Sequence, residues 1–459
     1  MTQPTLDGCV TTFAGYETGL GYVEEIDCGE TPDATDSIEK LKYDEDSDGV
    51  FRFYPFGFLK SGGAKMKDNK VSVKGIGSRG VSCIRHGKYE TEGSATYNPI
   101  NTRRLYYTLG IVDALGDPIY DVSALDGPVC LGDCLPSFSM LKNYTSDCND
   151  GSDIYLLYNM GKVKTFGVSA TLDGAIEWSE EWLFQYEQES SSLSFTEPLQ
   201  TVTVGNLPLT PCCSMFMFWE GDIWITRFKT ENVSSQIVAN DTTQIVVENP
   251  IMDFNRDGVV DGNAVNILPN QNDCYYDVRV KVNGTYVSIA SVLSTDTRYI
   301  TLSTGVDIGD TVLVEYNYMQ QMYNVSAYDF TIDYGTEATY GIYRGLAVPY
   351  EIREKTLNIT GSMTTNFKDI MEYRQYVQDE YFHLFIQQGG VVVFELLLSK
   401  WDDFDAPLSE EDLIENSLSF ISEWICVDSE LREEGISDTE EEGSGSEDED
   451  LYPVVNGFA

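Results

Sequence analysis

The sequence predicts a mainly β fold in which one β unit occurs twice and a small β-sandwich is inserted between the copies. Three observations lead to this prediction: a repeated residue frame, a composition rich in aromatic residues, and a central run of short strands with turn signals. Hydrophobic residues make up 42% of the 459 residues and aromatic residues 12%. That composition favours strands packed around real cores over disorder.

The repeated frame is Ile-Arg-x7-Gly-Ser-x-Thr-x-Asn, which occurs without a gap at Ile84–Asn98 and at Ile352–Asn366. In both copies every second residue falls on the same side of the predicted strand, and the two copies share the same register. This period of two is expected for half-buried strands. The positions on one side are Tyr89, Thr91, Gly93, Ala95 and Tyr97 in the first copy and Leu357, Ile359, Gly361, Met363 and Thr365 in the second. Each copy is followed by a helix-like stretch, Asn101–Val112 and Asp369–Gln378. A strand–helix unit used twice indicates a duplicated β-rich domain.

The middle of the chain predicts a separate domain. Short strand signals over 235–320 are divided by turns such as Asn283-Gly284, which is the pattern of a small β-sandwich of immunoglobulin-like size. The flanking segments ITRFKT and NVSAYDFTIDYG are predicted to be neighbouring strands of one sheet. The insert therefore interrupts the duplicated domain, and such insertions favour exposed hairpin tips.

These signals divide the chain into five segments. The predicted segments are an N-terminal arm or loop region over 1–50, a first unit over 51–234, the insert over 235–320, a second unit over 321–427 and an acidic C-terminal tail over 428–459. Within them, Met215–Phe228 are predicted to form two short strands around a turn. Tyr381–Ile386 and Gly390–Leu398 are predicted to form a hairpin.

The chain carries 75 acidic and 29 basic residues, a net charge of −46. Like charge at this density pushes a compact state apart at low salt, and molar salt screens most of it. Because the acidic residues are spread along the chain, a halophilic setting is the favoured explanation. The alternative is an ordinary soluble protein with an acidic appendage. Nucleic-acid binding through phosphates needs a basic stripe, so specific DNA binding is not expected.

The N-terminal sequence MTQPTLDGCV lacks a basic and an apolar region, so no signal peptide is expected. No apolar run approaches the length that a membrane span needs. The ten cysteines are too sparse for a disulfide scaffold. For Cys130, Cys134, Cys148, Cys212 and Cys213, buried free thiols or an occasional disulfide are expected. These features predict synthesis in the cytoplasm and no membrane partner.

The strongest local motif is the segment Asp253–Asp261, which resembles a calcium loop of the EF-hand or dockerin kind. Its predicted metal ligands are Asp253, Asn255, Asp257, Val259 through its carbonyl, and Asp261. Hard oxygen ligands at this spacing can wrap one Ca²⁺ ion, and the glycine at the sixth position permits the sharp turn. The twelfth position is Ala264 where an acid is expected, so Asp273 is a candidate to complete the shell. The alternative is an Asx-rich turn without metal.

No enzyme is predicted. His86 and His383 have no Cys or Ser partner in a recognisable catalytic frame, and structural roles are expected for both. Glu177, Glu180 and Glu181 lie among tryptophans and could mimic paired catalytic acids. The prediction for them is a solvated strand face in an acidic protein.

The order of these landmarks resembles the tail tube protein of long-tailed phages and their archaeal relatives. The landmarks are the strand with Gly93-Ser94 and its helix, LPSFSM at 135–140, YNMGKVKTFGVSATLDG at 158–174, MFMFWEGDIWI at 215–225, VSAYDFTIDYG at 325–335, and the second frame with its closing helix and hairpin. Together they cover most of residues 50–425. The insert is similar to surface modules attached to structural proteins of haloarchaeal viruses.

The resemblance implies β-sandwich or barrel domains with a flanking helix, whose sheets join between subunits into a closed ring. Stacked rings would form a hollow tube for genome ejection, and an acidic lumen would let the DNA slide without binding. Two such domains per chain imply a homotrimer of pseudo-sixfold symmetry, with a homohexamer as the alternative. Further implied partners are other tail proteins, and the implied location is the virion tail, assembled in the host cytoplasm.

A second reading belongs to a different class: a capsid-decorating or adhesin-like surface protein of a halophile, with calcium-stabilised β domains and no tube. The missing signal peptide argues against a cellular adhesin. The two readings differ in self-assembly.

Overall fold

The computed structural model describes only part of the chain. The described residues are 18–25, 54–73, 81, 83–113, 115–116, 118–125, 127–132, 134–144, 154–172, 174–189, 216–267, 274–340, 348–366, 371–405 and 415–429. Most of the predicted arm over 1–50 and nearly all of the predicted tail over 428–459 lie outside these residues.

The chain divides into two compact units. One contains the described residues of Met1–Thr226 and Gln320–Leu431, and the other contains those of Arg227–Met319. The second unit thus covers nearly the same residues as the predicted insert over 235–320. The predicted units over 51–234 and 321–427 fall into one compact unit, and their assignment as two tail-tube domains stays a prediction.

The mainly β class is confirmed. The strands of the N-terminal part are β1 (Thr18–Glu24), β2 (Tyr54–Pro55), β3 (Phe58–Asp68), β4 (Val71–Val73), β5 (Cys83–Arg85), β6 (Tyr89–Asn98), β7 (Val129–Cys130), β8 (Phe138–Tyr144), β9 (Ile154–Thr171), β10 (Glu177–Phe184) and β11 (Tyr186–Glu189). The central strands are β12 (Ile223–Asn232), β13 (Thr242–Val246), β14 (Val278–Val282), β15 (Thr285–Val287), β16 (Ile289–Val292), β17 (Tyr299–Val306) and β18 (Val312–Gln321). The C-terminal strands are β19 (Val325–Asp333), β20 (Glu337–Thr339), β21 (Glu351–Arg353), β22 (Asn358–Asn366), β23 (Phe382–Gln388), β24 (Val392–Asp405) and β25 (Glu415–Asp428).

The two predicted helices are confirmed. Helix α1 spans Arg104–Leu109 and is shorter than the predicted Asn101–Val112. Helix α2 spans Met371–Gln378, and the first two residues of its predicted range lie outside the described residues. Gly110 ends α1 in the left-handed conformation, with φ of 63°, and its N–H bonds the carbonyl of Tyr106. Within the part of the chain that the structure describes, no helix has the length and apolar character to cross a membrane.

The same antiparallel ladder occurs twice in the first unit. In the N-terminal copy, β3 pairs with β6, β6 with β10, β10 with β9, β9 with β8, and β8 with β1. In the C-terminal copy, β19 pairs with β22, β22 with β25, β25 with β24, β24 with β23, and β23 with β12. The helix follows the same strand in both copies, and a short hairpin, β4–β5 or β20–β21, precedes that strand in both.

The glycine of the repeated frame has the same packing role in both copies. Gly93 in β6 lies opposite Trp182, and Gly361 in β22 lies opposite Phe420. A Cβ atom at Gly93 would lie 2.9 Å from Trp182 Cε3, and one at Gly361 would lie 2.4 Å from Phe420 Cζ. An aromatic ring of the neighbouring strand thus covers each glycine, which explains why the frame has no side chain there.

The copies also share an unusual backbone bend. Met160 in β9 and Leu398 in β24 have φ values of 54° and 50°, which non-glycine residues rarely adopt. Val163 lies opposite Trp182, and Trp401 lies opposite Phe420. These two positions are equivalent, because Trp182 and Phe420 cover the two frame glycines. Each bend comes the same number of residues before its position. A long strand changes partners there: β9 leaves β8, and β24 leaves β23.

The two copies join through a direct strand pair. Thr165–Thr171 of β9 pair antiparallel with Ala327–Asp333 of β19. This arrangement corrects one prediction, because ITRFKT (in β12) and NVSAYDFTIDYG (in β19) are not neighbours. Strand β19 lies between β9 and β22, and β12 pairs with β23. Both strands belong to the C-terminal ladder and lie at its opposite ends.

Two further local predictions are wrong. The predicted arm contains β1, whose Tyr22 and Val23 are fully buried, because β1 completes the first ladder beside β8. The predicted first strand of Met215–Phe228 is a 3-10 turn over Phe218–Glu220. The carboxylate of Glu220 accepts the N–H of Met217 at 3.1 Å, which favours the turn over a strand. The predicted C-terminal hairpin is confirmed as β23 and β24.

A buried ion pair lies inside the first copy, where a solvated face was predicted. Glu180 is 1% exposed and Arg104 2% exposed. Arg104 Nε donates to Glu180 Oε1 at 3.0 Å, and Arg104 Nη2 donates to Glu180 Oε2. Trp182 Nε1 donates to Glu180 Oε2 at 2.7 Å. The prediction fails for Glu180 because Trp178, Glu180 and Trp182 share the inward side of β10.

A disulfide joins two strands that are distant in sequence. Cys130 in β7 lies opposite Cys426 in β25, and the two are bonded across 296 residues of sequence. Cys134 is free and exposed, so the expectation of a buried thiol is wrong there. Cys148, Cys212 and Cys213 lie outside the described residues.

The second unit consists of two small antiparallel sheets around one core. Strands β13, β17 and β16 form one sheet, and β14 pairs with both β15 and β18 in the other. The predicted Asn283-Gly284 turn joins β14 to β15, with positive φ at both residues, as a two-residue hairpin turn requires. The core residues are Val233, Ile237, Ile245, Val247, Ile251, Val278, Val280, Ile300, Leu302, Val306, Val312, Val314 and Tyr316.

Candidate metal centre

The predicted calcium loop lies in the second unit, between β13 and β14. Its first residue, Asp253, is 2% exposed and anchors the turn. Asp253 Oδ2 accepts the N–H of Gly258 at 2.8 Å, and Oδ1 accepts the N–H of Asp257 at 3.2 Å. The backbone can curl this tightly because Arg256 and Gly258 have φ values of 59° and 84°. The sequence therefore forms the sharp turn that the motif predicts.

The remaining predicted ligands line the same turn at different depths. Asn255 is 1% exposed, whereas Asp257 and Val259 are exposed and Asp261 is half-buried. Asp257 Oδ1 accepts the N–H of Val259 at 3.0 Å, and Asp261 Oδ1 accepts the N–H of Asn263 at 2.6 Å. The five predicted residues thus belong to one loop, and successive side chains satisfy its backbone N–H groups.

Asp277 completes this loop, although the sequence analysis did not identify it. It is fully buried and lies directly before β14. Its Oδ1 accepts the N–H of Asn255 at 3.0 Å, and its Oδ2 accepts the N–H of Asp261 at 3.0 Å. One carboxylate therefore ties the first half of the loop to the second. Ala264 is exposed, and Asp273 lies outside the described residues.

The two buried carboxyls carry a high electrostatic cost. Burial raises the pKa of Asp277 to about 7. The charge of Asp253 adds to this rise, whereas the hydrogen bonds from the backbone N–H groups of Asn255 and Asp261 lower the pKa. Burial also raises the pKa of Asp253, and the N–H of Gly258 and the charge of Arg256 oppose that rise. Two carboxylates that repel each other in a buried loop are an environment that a cation would stabilise.

The donor chemistry fits Ca²⁺, which prefers carboxylate, amide and carbonyl oxygens. The carboxylates themselves are not gathered around one point. Among the described residues, no three His, Cys, Asp or Glu side chains converge into a metal-binding group. In this conformation the carboxylates bond backbone N–H groups instead. The loop has the ligand types that calcium needs, and binding would require some of these oxygens to turn inward.

Both histidines make local contacts within the first unit. His383 is fully buried, and its Nδ1 accepts the N–H of Leu398 at 3.0 Å, at the bend of β24. His86 is exposed and contacts Asp68 Oδ2 at 2.5 Å. These are contacts that hold backbone and hairpin geometry.

Comparison with known proteins finds no family model and no curated protein that matches this chain.

Proposed function

We propose that the chain is a structural virion protein, the major tail tube subunit of a long-tailed virus of a haloarchaeal host. The observation that carries the proposal is the duplicated ladder. Two copies of one six-stranded order are joined edge to edge by β9 and β19 within one chain. A unit that extends a sheet from its own copy to the next is the element from which a ring of strands is built.

The charge supports the same function. A net charge of −46 would repel the phosphates of DNA, so a genome would pass such a surface without binding to it. The same charge requires screening, which molar salt supplies. In this proposal the protein is made in the host cytoplasm, assembles as a trimer of pseudo-sixfold symmetry or as a hexamer, and stacks into the virion tail with other tail proteins.

Calcium is proposed as a stabilising ligand of the second unit, held by Asp253, Asn255, Asp257, the carbonyl of Val259 and Asp261, with Asp277 as a further ligand. The buried carboxyls of Asp253 and Asp277 carry this part of the proposal, because a cation would offset the cost of their burial. The chemistry that the ion supplies is charge neutralisation and cross-linking of the loop.

Calcium is expected to raise the melting temperature of the wild-type protein. At a concentration 100-fold above Kd, its binding adds about 2.7 kcal/mol to the free energy of unfolding. Asp277→Asn should lose most of this rise because it removes the charge that joins both halves of the loop. Calorimetry with Ca²⁺ or with a chelator measures the effect. Glu248→Gln is the matched control, since this exposed residue of the same unit should leave the rise intact. A wild-type protein that does not respond to Ca²⁺ would refute the metal site.

Self-assembly is the test of the tube function. The purified protein in molar salt is expected to form rings or tubes with a lumen of a few nanometres in negative-stain microscopy. Lowering the salt should disassemble them because self-repulsion is no longer screened. Monomers at every protein concentration in molar salt would refute the proposal. They would favour the alternative function, a capsid-decorating or adhesin-like surface protein. The Asp-rich loop of the second unit is compatible with that function too.

A further inference from the structure

The junction between the two copies defines two surfaces at the ends of the duplicated sheet. Within the chain, the second half of β9 pairs with β19. The equivalent of β19 in the first copy is β3, and the equivalent of β9 in the second copy is β24. Among the described strands, β3 pairs with β6 alone, and β24 pairs only with β25 beyond Ser399. Each junction strand therefore has a counterpart with an edge that no described strand covers.

The repeated frame fixes how these edges correspond. Gly93 lies opposite Ala64 and Gly361 lies opposite Phe330, which makes Ala64 and Phe330 equivalent. Three residues further along, Lys67 is then equivalent to Asp333. Both ladders carry a bulge at the same place, between Leu59 and Ser61 in β3 and between Val325 and Ala327 in β19. The equivalence thus holds along both strands.

The other side of the junction is aligned in the same way. Glu181 in β10 lies opposite Ser94 and Thr165, and Ser419 in β25 lies opposite Ser362 and Asp403. Because Ser94 and Ser362 occupy the same position of the frame, Thr165 and Asp403 are equivalent. In the junction within the chain, Thr165 lies opposite Asp333.

We propose that the edge of β3 pairs with the end of β24 from a second copy of this chain, antiparallel, with Lys67 opposite Asp403. This inference rests on the proposed function and assigns the surface by which one chain joins the next. The same register sets Met66 opposite Phe404 and Lys65 opposite residue 405, as Ile332 lies opposite Phe166 within the chain.

The charges of the two edges complement each other. Lys65 and Lys67 are exposed on β3, in a chain with only 29 basic residues against 75 acidic ones. Asp403 is exposed on the opposing strand. Opposite charges that face each other directly across an antiparallel pair stabilise it, and like charges weaken it. The register from the internal junction therefore sets a basic side chain of β3, Lys67, against an acidic side chain of β24, Asp403.

The exposed side chains and the local hydrogen bonds of these edges agree with such a partner. Met66 is 42% exposed, although it is a large apolar residue. Phe404 N–H donates to Asp403 Oδ1 at 2.8 Å, a local bond that satisfies a strand N–H. On pairing, this N–H would turn to the carbonyl of Met66, and the released carboxylate would face Lys67. Tyr158 Oη donates to the carbonyl of Ala64 at 3.2 Å and already satisfies that carbonyl. The proposed strand pair therefore begins at Lys65.

Such an interface is heterologous, since β3 of one chain meets β24 of another. Interfaces of this kind close into rings when the rotation permits. In a ring of the proposed pseudo-sixfold symmetry, three chains would supply six copies of the ladder.

Disulfide trapping tests the register. Lys67→Cys with Asp403→Cys brings two thiols opposite each other across the pair, at a Cα separation of about 4.5–5.5 Å, which suits a disulfide. The expected result is a ladder of covalent oligomers up to the trimer on non-reducing gels after mild oxidation in molar salt. The matched control is Lys67→Cys with Asp402→Cys, whose second thiol is one residue out of register. Each single cysteine variant controls for pairing with native thiols, and circular dichroism checks that all variants are folded.

The outcomes separate this inference from the proposed function. Rings in the microscope together with covalent oligomers for the 67–403 pair, and few for the 67–402 pair, would support the strand pairing. Rings without a preference for the 67–403 pair would overturn the pairing and leave the tube function standing. Folded variants that give neither rings nor covalent oligomers would overturn both.

Discussion

Glu180→Leu is expected to destabilise the protein by about 3–5 kcal/mol, because removing one partner of a buried ion pair leaves the other charge without compensation. Arg104 is 2% exposed, and its guanidinium carbon lies 4.3 Å from the ring centre of Tyr22 and 4.7 Å from that of Phe138. Water cannot replace the lost carboxylate among these rings. Urea unfolding at constant salt, followed by tryptophan fluorescence, measures the loss.

Two further variants identify the cause. Leu418 occupies the place of Glu180 in the second copy, opposite Met363 where Glu180 is opposite Ala95, so leucine is compatible with this strand position. Arg104→Met combined with Glu180→Leu should recover most of the stability because no charge remains buried. Glu181→Leu, at the exposed neighbour, should change stability by no more than about 0.5 kcal/mol. If the Glu180 and Glu181 variants unfold at the same urea concentration, the ion pair does not matter for stability.

Reduction of the disulfide between Cys130 and Cys426 is expected to cost about 2–5 kcal/mol, since the bond closes a loop that spans 296 residues of sequence. The bond fixes β7 against β25, and β25 also pairs with β22 and β24 at the centre of the second ladder. Loss of the bond would mainly increase the conformational entropy of the unfolded chain, and it would disturb the folded structure less.

The measurement compares thermal unfolding with and without a reductant that does not bind metals. The melting temperature of the wild type should fall to that of Cys130→Ser, and the reductant should have no effect on the variant. Cys134→Ser is the control, because this exposed cysteine is free and close in sequence. A wild type whose melting temperature is the same in both conditions would contradict the expected contribution.

Local periodicity predicted much of the fold. The inward positions Ile359, Gly361, Met363 and Thr365 are all buried, as the alternation of the frame indicates. The duplication was visible because its glycines are held by neighbouring aromatic rings, a constraint that persists in both copies. Strand β1 was missed because it is rich in glycine and is stabilised by its neighbour β8 and not by its own propensity.

The candidate metal loop was only partly visible in the sequence, for a different reason. Asp253 to Asp261 form a contiguous motif, whereas Asp277 reaches the loop from the start of β14. In the sequence Asp277 alternates with Arg279 and looks like part of the polar side of a strand. Which carboxyl is buried depends on tertiary packing. The same holds for Glu180, whose partner Arg104 lies in a helix far from it in sequence.

The fusion of two ladders in one chain has a consequence for the surface of any ring built from it. Six identical units must display each feature six times. A chain that carries two ladders can display a feature on only one of them. Here the second compact unit interrupts the chain only once. A ring of such chains would therefore contain the second compact unit once for every two ladders, half as often as a ring of single-ladder chains that each carried it.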